Sequence, residues 1–241
     1  MPRKLGQHFL NDKRIAQRIV DYAKISKNDK VLEIGPGKGV LTNILTDKAK
    51  EVIAIEKDKL LGQELLQKDN LSVIIGDALE IDFPKFNKIV ANLPYQISSP
   101  ITFKLFQYKW DLAVLMYQKE FADRFFAKPG DKNYSRLTLA INYYCIPEKL
   151  EIVSKGKFNP PPKIDSMIVL LKPIKPPFKT DKIFWDYLTK IFQHKKKIVR
   201  AALKSSKIPK EKIEKLPEAL LKKRVNRCNI NEIKSIIDMI R

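Results

Sequence analysis

Histidine and cysteine are both scarce: the 241 residues contain only His8, His194, Cys145 and Cys228, and no CxxC pair. A zinc site needs more ligands of that kind, so no metal is expected and both thiols are expected to be reduced and structural. Long apolar runs are also missing, since none reaches the roughly 20 residues that span a bilayer. Met1 to Gly6 carries basic residues without a following apolar stretch or small-residue cleavage site. These absences argue against membrane insertion and secretion and predict a cytoplasmic protein. Acid is the third shortage. Against 47 Lys and Arg stand 27 Asp and Glu, a net charge of +20. Surface lysine that serves heat stability usually comes matched by glutamate; here it is unmatched, so the excess points to a polyanionic partner. Nucleic acid is favoured over an anionic membrane because no amphipathic anchor stands out.

The balance of 44% hydrophobic and 31% charged residues is that of a globular chain able to bury a sizeable core. After a cap at Asn11 or Asp12, Ile15, Ile19, Val20 and Ala23 share a helical face. Lys30–Ile34 reads as a strand that runs into Gly35-Pro36-Gly37-Lys38-Gly39, after which Val40, Leu41, Ile44 and Leu45 have helical spacing. Strand, glycine turn and helix form the nucleotide-binding entry of an α/β sheet. A second strand, Glu51–Ile55, ends in Glu56, 21 positions after Gly35, where such folds place an acid on ribose hydroxyls. A third, Leu71–Ile75, stops at Gly76-Asp77-Ala78, and Asp77 could accept from an adenine amine or simply cap a turn.

A fourth apolar run, Lys88–Ala91, delivers Asn92-Leu93-Pro94-Tyr95. Alkylating an adenine amine requires acceptors that draw its delocalised nitrogen toward a tetrahedral shape. Asn92 offers a side-chain carbonyl, Leu93 and Pro94 offer backbone carbonyls, and Tyr95 offers a face on which a base can stack. Taken alone, the stretch reads equally well as an ordinary strand-to-turn exit. If the four strands are parallel, Gly35, Glu56, Asp77 and Asn92 should line one crevice.

Further along, Asp111–Tyr117, Leu150–Val153 and Ser166–Leu171 read as strands, and Tyr134–Cys145 as a helix. The predicted fold class is α/β, with a seven-stranded sheet and a small helical domain after it. Phe158-Asn159-Pro160-Pro161-Pro162 is a rigid extended loop whose Phe158 is either a second face for the base or a plug in the core. A proline-rich boundary near Lys172–Pro177 suggests domains at 1–173 and 174–241. The second segment holds 19 basic and 7 acidic residues, a net +12, and is expected to be all helix. Lys195, Lys196, Lys197, Arg200 and Lys204 are the candidate phosphate contacts, with Lys196, Arg200 and Lys204 at helical spacing.

These stretches together resemble the ribosomal RNA adenine dimethyltransferases of the KsgA type. The resemblance rests on Gly6-Gln7-His8-Phe9-Leu10, Glu33-Ile34-Gly35-Pro36-Gly37, Glu56, Gly76-Asp77-Ala78, Asn92-Leu93-Pro94-Tyr95 and Phe158-Asn159-Pro160-Pro161-Pro162-Lys163. It implies a Rossmann-like methyltransferase sheet and S-adenosylmethionine as cofactor. Gly35, Gly37, Glu56, Asp77 and Asn92 would hold the cofactor, with His8 and Leu10 covering it. Asn92, Leu93, Pro94, Tyr95 and Phe158 would hold the target base. The implied substrate is two adjacent adenosines near the 3′ end of small-subunit ribosomal RNA, in a pre-ribosomal subunit and met by a monomer. A non-catalytic RNA-binding assembly factor on the same fold is the alternative. A nicotinamide oxidoreductase is disfavoured by Thr42, which stands at the third glycine place of the dinucleotide fingerprint counted from Gly37.

Overall fold

A computed structural model describes residues 8–65 and 68–241; Gly6 and Gln7 of the family-like stretch lie outside the described residues. The chain divides into two compact units, Met1–Ala122 with Cys145–Pro173, and Asp123–Tyr144 with Ile174–Arg241. The expected boundary after residue 173 is one of the crossings, but assigning 123–144 to the first domain is corrected. Tyr134 and Leu139 belong to the apolar core of the helical unit, and that burial decides where the segment folds.

The first unit runs β1 (Phe9–Leu10), α1 (Lys13–Tyr22), β2 (Lys30–Ile34), α2 (Val40–Lys48), β3 (Glu51–Glu56), α3 (Lys59–Glu64), β4 (Leu71–Ile75), β5 (Lys88–Asn92), α4 (Ser98–Leu105), β6 (Leu112–Gln118) and α5 (Lys119–Ala122). The chain passes through α6 (Arg136–Tyr144) of the other unit before returning as β7 (Cys145–Val153), β8 (Phe158–Asn159) and β9 (Ser166–Pro173). A seven-stranded sheet has the order β4-β3-β2-β5-β6-β9-β7, parallel from β4 to β6 and antiparallel at β9 and β7. The seven expected strands are these. Parallel strands covered on both faces need apolar side chains in both directions, which is why β2, β3, β5 and β6 read as continuous runs without alternation. Ile15, Ile19 and Val20 of α1 and Leu41 and Leu45 of α2 share one core cluster with Val31, Val52, Val90 and Val114. Asp12 caps α1 by accepting the Arg14 amide.

Two local features depart from expectation. β7 begins at Cys145, five residues before the expected strand, and contains Pro147. Proline cannot donate to a ladder, and β7 escapes the conflict because it is the last strand of the sheet. β1 and β8 form a two-stranded ladder pairing Phe9 with Asn159 and Leu10 with Phe158, a contact between segments about 150 residues apart that no local pattern announces.

The second unit holds α6, α7 (Lys182–Phe192), α8 (Val199–Ser205), α9 (Lys210–Ile213), α10 (Glu218–Lys222) and α11 (Ile230–Ile240). Asp181 caps α7, and Asn229 with Glu232 forms a capping box on α11. Ile233, Ile236, Ile237 and Ile240 of α11 meet Phe184, Leu188 and Ile191 of α7 in one core. The basic helix expected from Lys195 starts only at Val199, so Lys196 stands before it and only Arg200 and Lys204 keep the four-residue spacing on a helix.

Candidate active site

The parallel strands of the first unit deliver Gly35, Glu56, Asp77 and Asn92 to one cleft. The cleft opens where the strand order reverses between β2 and β5, because connections leave in opposite directions there and keep no helix over the gap.

Its floor is the glycine turn after β2. Gly35 and Gly37 have φ of +68° and +56°, and a Cβ on either would lie 2.9 Å from Pro94 Cγ and from Phe9 Cδ1 respectively. The glycines thus let Pro94 and Phe9 close directly on bare backbone, leaving peptide groups accessible to a ligand. Lys38 places its ammonium 5.3 Å from the centre of the Phe9 ring. The Glu56 carboxylate accepts the Gly37 amide at 3.1 Å and the Asp58 amide at 2.9 Å, so it is held in one orientation at the cleft wall with only 5% exposure.

Glu33 is buried beside Glu56 in the same cleft. Burial pushes its carboxyl up to about 8; the Thr42 hydroxyl pulls the other way and the Glu56 charge adds to the rise. Glu33 Oε2 and Asn92 Oδ1 are both buried without a hydrogen-bond partner among the described residues. Unsatisfied buried acceptors are costly in a fold unless a ligand meets them.

Asp77 ends the next wall. Its carboxylate accepts from Lys57 Nζ at 2.7 Å and from the Leu79 amide at 2.9 Å, and the Lys57 ammonium first, then that amide, hold it below the ordinary carboxylate range. It therefore stays an acceptor at neutral pH.

On the substrate side, the Tyr95 hydroxyl is 2.6 Å from Ser166 Oγ, and the His8 ring stacks on Tyr95 at 5.7 Å between centroids with 29° between planes. His8 Nδ1 is 2.8 Å from the Pro160 carbonyl oxygen, which fixes the ring against the proline loop. Leu10 lines the cleft with its side chain 4% exposed. The Leu93 amide donates to Met116 O at 3.3 Å, and the Pro94 carbonyl accepts the Ile97 amide at 3.1 Å, so one of the two carbonyls expected to face a base is already engaged by the following turn.

Phe158 is not brought to this cleft. It is 4% exposed and packs in the core cluster with Leu10, so the plug reading is the one its surroundings support and no face of its ring is presented to a base in this arrangement. The ring that meets Tyr95 is His8. Phe9, Glu33 and Lys38 line the cleft although the sequence assigns them no role there. Glu33 could have been suspected, because an acid within the apolar run of β2 has no reason to be there except a ligand or a partner.

In the second unit the five basic candidates differ. Lys195 Nζ donates to the carbonyls of Lys132 at 3.1 Å and Tyr134 at 2.8 Å, Lys197 Nζ to Ser205 Oγ at 2.9 Å, and Arg200 pairs with Glu218 at 2.5 Å. Partial burial, followed by the charges of Arg124 and Lys196, lowers the Lys195 ammonium from its ordinary value. Lys196 and Lys204 are exposed and make no ion pair among the described residues.

Residues 1–241 match the family model described as ribosomal RNA adenine dimethylase. A protein of Methanothermobacter thermautotrophicus described as "probable ribosomal RNA small subunit methyltransferase A" is 44% identical over 99% of this chain and 90% of its own length. One of the same description from Thermococcus onnurineus is 46% identical over 96% of this chain and 89% of its own. Among solved structures, a dimethyladenosine transferase from Plasmodium falciparum superposes with a TM-score of 0.83 at 35% identity, covering 95% of this chain and 96% of that one. The 23S rRNA methyltransferase ErmE superposes with a TM-score of 0.68 at 27% identity, over 96% and 99% of the two chains.

Proposed function

The chain belongs to the ribosomal RNA adenine dimethylase family, and we propose that it dimethylates the exocyclic nitrogen of two adjacent adenosines near the 3′ end of small-subunit ribosomal RNA. The observation that carries the site assignment is the buried, unpartnered Asn92 Oδ1 at the end of β5, in the same cleft as the bare glycine turn.

The cleft fits S-adenosylmethionine. Gly35 and Gly37 expose backbone where a Cβ would strike Pro94 and Phe9. Glu56 is aligned for ribose hydroxyls, Asp77 for an adenine amine, and Glu33 carries an unpartnered oxygen for a cationic group. When bound, this cofactor supplies a methyl group on a positively charged sulfur, from which a nucleophile can displace it. The chain's own task is then alignment and charge placement.

Asn92 Oδ1 accepts an N–H of the target amine and stabilises the positive charge that grows on that nitrogen. The Leu93 carbonyl is the second acceptor, since Pro94 O already serves Ile97. Tyr95 is held by Ser166 and offers a ring for the base, which must leave its stack to enter. Burial raises the Tyr95 hydroxyl above its ordinary value, so it remains neutral and adds no charge to the cleft. No strong base is needed, because the alkylated amine is acidic enough to lose its proton to water.

The helical unit, with its +12 segment, serves as the RNA-contacting part through Lys196 and Lys204. The substrate is the RNA within a small subunit still being assembled, met by a monomer in the cytoplasm; the charge surplus supports a polyanionic partner of that kind. No helix among the described residues is long and apolar enough to cross a membrane.

The test is methyl transfer from labelled S-adenosylmethionine to unmodified small subunits, followed by nucleoside analysis. Dimethyladenosine at adjacent positions is expected. Asn92→Ala should lower the rate by about 100-fold while RNA binding stays near that of the parent chain. Equal loss of both would make Asn92 a structural residue.

A further inference from the structure

Lys104, in the last turn of α4, does not line the cofactor cleft but binds the turn that follows Asp77 at its wall. Its Nζ donates to three carbonyls, Ala78 O at 2.9 Å, Leu79 O at 3.2 Å and Ile81 O at 2.5 Å, and lies 4.5 Å from the centre of the Phe83 ring. An ammonium has three protons to donate, and here they meet three converging acceptors.

Those carbonyls belong to a short turn with no strand or helix to hold it. Asp77 opens the turn: its carboxylate accepts the Leu79 amide, and its carbonyl accepts the amides of Glu80 at 2.9 Å and Ile81 at 3.0 Å. The carbonyl end of such a turn carries partial negative charge and needs a partner. Lys57 binds the acidic end and Lys104 the carbonyl end, so the segment that presents Asp77 and Ala78 to the cleft is clamped by two cations. α4 also follows directly on the turn Tyr95–Ile97, so Lys104 ties the cofactor wall to the helix that begins at the substrate loop.

We propose that Lys104 is a positioning residue for the adenosine end of the cofactor, holding the 77–81 turn so that Asp77 and Ala78 face the cleft. The assignment rests on the reading of that cleft as the S-adenosylmethionine site. Lys104 touches no reacting atom; it acts through the turn.

The experiment is titration calorimetry on the full chain with two ligands. S-adenosylhomocysteine carries the whole cofactor frame, and 5′-methylthioadenosine keeps the nucleoside without the amino-acid arm. Lys104→Met should weaken both by the same factor, about tenfold, as expected for lost charge-assisted hydrogen bonds. Lys104→Arg should recover most of the affinity. Lys104→Gln, which keeps a donor but not the charge, should fall between them and stands in should the methionine variant not fold. A purely structural lysine would lower the melting temperature and leave both affinities unchanged. Unchanged affinities in a folded variant, or a loss confined to S-adenosylhomocysteine, overturn the proposal for Lys104 alone. Failure of the parent chain to bind S-adenosylhomocysteine overturns the cofactor reading itself, and Lys104 with it.

Discussion

Glu33 is buried to 1% exposure, with one oxygen lacking a partner in the described fold. Burial pushes its carboxyl up from 4.5, the value of an unfolded chain, to about 8 in the fold. Below 4.5 both states carry the proton and nothing is lost; as pH rises toward 8 the unfolded chain gains a solvated charge that the fold resists, and stability falls. Glu33→Gln should therefore raise stability at neutral pH by roughly 2–3 kcal/mol and flatten its dependence across that window, measured by urea denaturation at several pH values. The same variant should bind cofactor less tightly, because a group kept at a cost in stability beside a ligand cleft is retained for the ligand. At this scale, the residues whose type alone carries chemistry were legible in the chain: Asn92, Glu56 and Asp77 reach the cleft as the strand order predicts. Residues whose role depends on what surrounds them were not. Phe158 and His8 are both aromatic rings near prolines or glycines, and only packing shows that the first is core and the second stacks on Tyr95.

The elements of the sheet were readable because each is a short apolar run closed by a glycine, an acid or an amide, and a buried parallel strand has no other pattern to show. The β1–β8 ladder was not, since two residues paired across the chain leave no period. That ladder places Phe158 over Leu10 in the core, and a large buried ring carries stability there. Phe158→Ala should cost about 3 kcal/mol in denaturant unfolding, whereas Phe158→Leu should keep most of the stability and most of the methyl transfer. Loss of RNA binding in Phe158→Leu without loss of stability would return the ring to the base pocket. The helix boundary at Val199 carries the same lesson. Residues 195–197 lie in a turn whose backbone accepts from Val225 and Asn226, at 3.0 Å to Lys197 O and 2.9 Å to Lys195 O, so a tertiary contact stops the helix from extending back through a run of good helix formers.

For the molecule as a whole, the net +20 makes affinity for RNA strongly dependent on salt, through counterions released from phosphates. Exposed cations without an internal partner are the best placed to contribute. Replacing Lys196 and Lys204 together by alanine should weaken RNA binding and lower the salt slope by about one to two units, read from binding isotherms over a range of salt. Arg200→Ala should change the slope little, since Arg200 already pairs with Glu218. The charge surplus, the strand-turn order and the chemistry at strand ends are one-dimensional properties, and the sequence by itself determined them: a polyanionic partner, a seven-stranded α/β sheet and a cofactor crevice at its carboxyl edge. The tertiary structure alone decided which lysines are spent inside the protein, that residues 123–144 fold with the helical unit, and that Lys104 clamps the turn beside Asp77. Those outcomes depend on contacts between segments tens to hundreds of residues apart, where burial and hydrogen-bond geometry act on positions that no local pattern connects.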